Sequence, residues 1–134
     1  MKAKVFGLDK LGKPNLNGRI YPQEVVKKAL QKWNEFIKDN RGFICLGPPE
    51  NDTVDLTTVI GLVKKTEFKD HVLYVEMQPL KVMVNNSKEI WNMFRKKKLI
   101  VSMAGLATIK DNGNDTYTVQ DDLEIISFYL NTPQ

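Results

Sequence analysis

Ser102 is one of three serines in the chain, a residue type that can act as a nucleophile. It stands in Leu99-Ile100-Val101-Ser102-Met103-Ala104-Gly105, an apolar run giving way to small residues. A serine hydroxyl becomes a nucleophile only when a nearby base takes its proton, and acyl transfer also needs donors aimed at the developing oxyanion. Candidate bases are few. The single histidine, His71, falls in Lys69-Asp70-His71, a polar break between two apolar runs, and reads as a solvated hairpin tip. A lysine with its pKa lowered by burial would serve in principle, but the lysines cluster in polar runs and none is singled out. The single cysteine, Cys45, lies between Ile44 and Leu46 and reads as a packed strand residue. One cysteine and one histidine at no ligand spacing supply no structural zinc site. Glu50, Asp52 and Asp55, like Asp111, Asn112 and Asp115, read as loop and turn residues. No glycine-rich segment leads into Gly-Lys-Ser/Thr, so no phosphate loop, cofactor or metal is expected.

The composition is that of a globular chain: 134 residues, 42% hydrophobic and 27% charged, with a net charge of +4. One domain, residues 1–134, is expected from this length. No apolar run approaches the roughly 20 residues that span a bilayer, and Met1-Lys2-Ala3-Lys4-Val5 lacks the apolar region of a signal peptide. A soluble protein made in the cytoplasm is the expectation. The basic excess concentrates at Lys27-Lys28, Lys64-Lys65 and Arg95-Lys96-Lys97-Lys98. Such runs suit phosphates or an acidic protein surface, yet Arg95 to Lys98 also ends a predicted helix, where cations complement the negative pole of the helix dipole.

The elements that must position Ser102 follow from periodicity. Lys2 to Leu8 reads as a strand and Gly12 to Asn17 as a loop. A helix is predicted from Pro22 to about Lys38, with Val26, Ala29, Leu30, Trp33 and Ile37 on one buried face and Asn40-Arg41-Gly42 as its terminator. Phe43 to Leu46 is a short strand, and Gly47-Pro48-Pro49 opens a rigid loop. Val54 to Phe68 and Val72 to Leu80 form a hairpin around Lys69-Asp70-His71. Asn86 and Glu89 have the form of a capping box starting a second helix that runs to about Lys97. Leu99 to Lys110, Thr116 to Val119 and Leu123 to Leu130 complete the strands, with Asp111-Asn112-Gly113-Asn114-Asp115 as a hairpin turn. Tyr21, Trp33, Phe36, Trp91 and Phe94 read as core. Strands outnumber helices, so an α+β fold is expected: a mainly antiparallel barrel or sheet with two packed helices.

The segment Asn15-Leu16-Asn17-Gly18-Arg19-Ile20-Tyr21-Pro22 joins a tight turn to a helix start. It resembles the Asn-x-Asn-x-Arg-x-Tyr-Pro segment of the prohead maturation proteases of tailed bacteriophages, serine proteases that share the herpesvirus assemblin fold. Three shorter segments follow in the order the resemblance requires. They are Ile44-Cys45-Leu46-Gly47-Pro48-Pro49 with Val54-Asp55-Leu56, then Leu99 to Gly105, then Leu123 to Leu130 leading into Asn131-Thr132-Pro133-Gln134. The resemblance spans residue 13 to the C-terminus.

It implies a prohead-protease fold with Ser102 at the position of the nucleophile. It also implies that the catalytic histidine position is occupied by Pro48, which accepts no proton. The family's second serine corresponds to Met103 and its arginine to Ala104. The expectation is therefore a catalytically inactive relative with no catalytic residues, only the vestigial positions Ser102, Pro48 and Ala104. The role implied is an auxiliary or decoration protein of the phage head, located in the virion, binding the major capsid protein, other head proteins and further copies of itself. In this setting Arg19 and Tyr21 are expected to fix the loop to the barrel rather than touch substrate. Two alternatives stand beside it: an active maturation protease using Ser102 with an atypical base, and a DNA-binding head protein acting through Lys96 to Lys98.

Overall fold

The spacing of apolar residues in the first helix is borne out in the computed structural model, which describes residues 1–80 and 86–133. Helix α1 (Gln23–Lys38) follows Pro22, whose extended backbone serves as its N-cap, and buries Val26, Ala29, Leu30 and Trp33. Its terminator differs from expectation. Asn40, with φ of 56°, supplies the left-handed residue, and the Arg41 N–H donates to the Phe36 carbonyl at 2.7 Å. Gly42 has a different use: a Cβ there would lie 3.0 Å from Ile37 and 3.3 Å from Trp33, so its missing side chain lets the chain turn tightly under the helix.

The strands are β1 (Lys2–Lys4), β2 (Arg19–Ile20), β3 (Phe43–Leu46), β4 (Val59–Lys69), β5 (Val72–Pro79), β6 (Ile100–Leu106), β7 (Ile109–Asp111), β8 (Tyr117–Val119) and β9 (Glu124–Asn131). Six of them form one sheet in the order β1-β5-β4-β3-β9-β6. Phe6 pairs with Ser102 and donates its N–H to the Val101 carbonyl at 2.8 Å, joining the two end strands and closing the sheet into a barrel. The class is α+β, as expected, with β3–β9 and β2–β8 as parallel pairs among mostly antiparallel neighbours.

Several boundaries moved for local reasons. The first strand stops at Lys4, because the chain then crosses from β5 to β6: Val5 N–H bonds the Leu73 carbonyl at 2.9 Å, and Phe6 bonds Val101. The strand expected from Val54 begins at Val59. Ahead of it the Asp55 carboxylate accepts from the Thr57 N–H at 2.9 Å and starts a 3-10 turn, Leu56–Thr58. The long strand from Leu99 to Lys110 is broken at Ala107–Thr108, where Asp122 accepts from the Thr108 N–H at 2.9 Å. Beyond that clasp β7 leaves the barrel and joins β8 and β2 in a three-stranded sheet. The hairpin turn at Asp70–His71 has positive φ at both residues, 51° and 64°, which matches the twist of β4 and β5.

Helix α2 (Ser87–Arg95) begins at Asn86, but the expected capping box does not form. Asn86 is left-handed, with φ of 67° and no side-chain cap bond. The Ser87 hydroxyl donates instead to the Leu80 carbonyl at 3.2 Å. From this helix Trp91, 2% exposed, enters the core and donates its indole N–H to the Ile60 carbonyl at 3.0 Å. The space it fills exists because residue 61 is glycine, where a Cβ would stand 2.8 Å from the indole ring. Trp33 meets Phe128 edge to face at 5.1 Å, linking α1 to β9. Phe36 is not core: it is 42% exposed, and Arg41 lies over its ring. No helix among the described residues is long and apolar enough to cross a membrane.

Candidate functional site

Alternation along β9 and β6 sets the site. Val101, Phe128 and Leu130 are buried in the core, so Ser102, Tyr129 and Asn131, offset by one residue, turn to the opposite face. The register places Cys45 opposite Tyr129, and Tyr129 opposite Ser102, in one row across β3, β9 and β6. Asn131 stands at the next outward position, and the Ser102 hydroxyl reaches its Oδ1 at 3.5 Å.

Over this face lies the segment Asn15–Tyr21. The Asn15 side chain organises it. Its Oδ1 accepts from the N–H groups of Asn17 at 2.9 Å and Arg19 at 3.0 Å, and its Nδ2 donates to the Gly7 carbonyl at 3.3 Å. Gly7 follows Phe6, so Asn15 couples the segment to the strand that closes the barrel beside Ser102. On the other side β2 pairs with β8, Arg19 against Tyr117. The result is a polar cleft of about 150 Å³, lined by Asn15, Asn17, Arg19 and Tyr21 on one wall and Ser102, Met103, Tyr129 and Asn131 on the other.

Of the positions singled out by sequence, the structure brings together Ser102, Arg19 and Tyr21. Arg19, expected with Tyr21 to fix the loop to the barrel, pairs through its backbone with Tyr117 of the small sheet, and both Arg19 and Tyr21 line the cleft. Pro48 is exposed in the loop after β3 and is not among the cleft-lining residues. It follows a strand separated from β6 by β9, about 10 Å away at the normal spacing. Ala104 lies farther along β6, opposite Ser127, and does not line the cleft. His71 is at the far hairpin, with Nδ1 3.1 Å from the Gln23 Oε1, and lines another hollow with Leu11, Pro22 and Lys27. Asn131 and Tyr129 were missed by sequence reading, although the polar Ser127, Tyr129 and Asn131 recur with the period of a strand.

Electrostatically the cleft is dominated by Arg19, which makes no ion pair with any described residue. Among the described residues, the lining contains no histidine, lysine, aspartate or glutamate. Asn131 is a neutral amide and takes up no proton, so the partner of the Ser102 hydroxyl among the described residues is a hydrogen-bond acceptor rather than a base. Arg19, the Asn17 amide and the Ser102 hydroxyl together suit a carbonyl or carboxylate oxygen of a bound chain.

Cys45, in the same row, is chemically quiet. Burial pushes its thiol above the ordinary value, against the opposing influence of the Thr58 and Ser127 hydroxyls. Ser127 Oγ itself is fully buried without a hydrogen-bond partner of normal geometry. A raised pKa lowers the thiolate fraction at neutral pH, and the thiolate is the reactive form. Cys45 is therefore expected to react with a disulfide reagent at neutral pH far more slowly than in urea-unfolded protein. Equal native and unfolded labelling rates would contradict the burial argument.

The chain matches no protein-family model and no curated protein. Among solved structures it is similar to the capsid assembly protease of bacteriophage T4, with a TM-score of 0.85 over 99% of this chain and 82% of that one. The fold is prohead-protease-like. At 16% sequence identity the likeness establishes the architecture expected from Asn15–Pro22 and the order of the later segments, and it establishes that alone.

Proposed function

We propose that this chain is a catalytically inactive prohead-protease relative that serves as a non-enzymatic phage head protein, an auxiliary or decoration component binding capsid proteins. The observation that carries this reading is the cleft lining, in which Ser102 contacts the Asn131 amide and no histidine, lysine, aspartate or glutamate stands among the described residues. Hydrolysis by serine requires that group; binding does not.

The surroundings of Ser102 favour a polypeptide as the bound molecule. Strand β6 ends the six-stranded order, and among the described residues Phe6 bridges its free edge at Ser102. Past that bridge a second hollow of about 190 Å³ shares Arg19, Tyr21 and Met103 with the cleft and continues along Gly105 and Leu106. An extended segment laid there would pair with the edge of β6 and place an acceptor at Arg19. The T4 neighbour is a capsid assembly protease, which supports coat and other head proteins as the source of such a segment.

The test mixes the protein with the coat and scaffold chains of its phage. The expected result is co-sedimentation with assembled particles and no new fragments, unchanged in Ser102→Ala. Cleavage that vanishes in Ser102→Ala would overturn the proposal in favour of an active protease.

A further inference from the structure

A second opening in the barrel lies where β1 and β6 diverge. The Met77 N–H bonds the Met1 carbonyl and the Val5 N–H bonds the Leu73 carbonyl, so the odd-numbered residues of the first strand bond toward β5. In an antiparallel pair the alternate residues then turn their main-chain groups to the other edge. Phe6 follows this parity and bonds Val101, but Lys2 and Lys4 lie in an edge strand paired only with β5. The barrel is thus zipped at Phe6 and open toward Met1. Beside this edge is a groove of about 670 Å³, floored by Phe6, Phe94, Leu99 and Val101.

Its rim is basic. Lys2, Lys4, Arg95 and Lys97 line it against the single carboxylate of Asp9. Lys2 is held by Glu67 at 2.8 Å and Lys4 lies 3.9 Å from Asp9, which leaves Arg95 and Lys97 without a carboxylate partner among the described residues. Lys97 also occupies a position that favours glycine. Its φ is 60°, just past α2, where its own N–H bonds Phe94 and the next N–H bonds Met93.

We propose that this groove docks an extended segment of a partner protein that alternates acidic and apolar residues and adds as a strand to β1. Free strand edges bearing lysines repel a second copy of themselves, because like charges would meet across the new ladder. Arg95 and Lys97 beside that edge attract an acidic strand, whose apolar residues cover the half-buried Phe6 and Phe94. This surface shares Phe6 and Ile100 with the Ser102 cleft but takes its charge from other residues.

The test is fluorescence anisotropy on the full chain with two labelled peptides, one alternating glutamate and valine, the other lysine and valine. The glutamate peptide is expected to bind about tenfold tighter, and less tightly as salt rises. Lys97→Gly suits the left-handed backbone, and Lys4→Pro removes an edge N–H at a position where proline is tolerated. Each is expected to abolish most of that preference without lowering the urea midpoint, whereas Lys38→Gln, at the exposed end of α1, leaves it unchanged. Equal binding of the two peptides, or full binding by both variants, overturns the proposal. So does tighter binding of duplex DNA through the same cations, or a dimer that protects the Lys2 and Lys4 amides from exchange.

Discussion

Replacing Trp91 with alanine is expected to lower stability by about 3–5 kcal/mol, the range for emptying a buried tryptophan site. The residue is 2% exposed, and its ring occupies space that opens only because residue 61 has no side chain. Two losses coincide: the ring leaves a cavity in the core, and the Ile60 carbonyl loses the indole N–H that it accepts at 3.0 Å while keeping the Leu80 N–H at 2.8 Å. Because that carbonyl stays paired, the lost hydrogen bond adds only about 0.5–1.5 kcal/mol to the cost of the cavity. Set against total stabilities of about 5–15 kcal/mol, this brings the fold close to its limit. Trp91→Phe separates the contributions, since it keeps most of the ring while removing the donor, and a smaller loss is expected. Urea unfolding with the slope held constant measures both. A shift below about 1 kcal/mol for Trp91→Ala would mean that α2 is not a structural plug of the barrel.

The second large effect is expected at Gly18. Its φ is 73°, and a Cβ there would collide with the Asp115 carbonyl, well inside contact distance. That carbonyl belongs to the turn before β8, and the Tyr117 N–H bonds the Gly18 carbonyl at 2.8 Å. Gly18→Ala must therefore push β2 off β8. Gly12→Ala is the control, because Gly12 has φ of 85° with open space around it. The left-handed backbone alone costs about 1–2 kcal/mol at either position. Gly18→Ala is expected to cost more than Gly12→Ala, and to speed hydrogen exchange at Tyr117 while the barrel amides stay protected. The wall carrying Arg19 and Tyr21 would then loosen over Ser102. Equal costs at the two glycines would show that the segment is not pinned to β8.

Much of the frame was legible because its causes are local. The three- and four-residue spacing of Val26, Ala29, Leu30 and Trp33 requires only a helix and an apolar partner, and both helices form within the expected ranges. The turn at Asp70–His71 likewise followed from its own residues. Reading failed where a side chain distant in sequence intervened. Asp122 ends β6 by binding Thr108, fourteen residues away, and nothing within Leu99 to Lys110 marks that break. Asn86 looked like a helix cap, yet its left-handed backbone leaves its side chain out of the cap.

The candidate site divides in the same way. Residue types alone determined that the chain has one histidine and one cysteine, that proline stands at position 48, and that Asn15 to Pro22 make a turn leading into a helix. Tertiary structure decided which of these meet. Cys45, Tyr129 and Ser102 share a row because β3, β9 and β6 are neighbours in the barrel, although long stretches of chain separate them. Asn131 faces Ser102 through the pleat of β9, and Arg19 and Tyr21 cover it because Asn15 is tied to Gly7 and β2 to β8. Strand order and register arise from pairing and burial over the whole chain. A linear sequence therefore names the groups, and only the closed barrel determines that Ser102 meets the Asn131 amide in a cleft that Arg19 also lines.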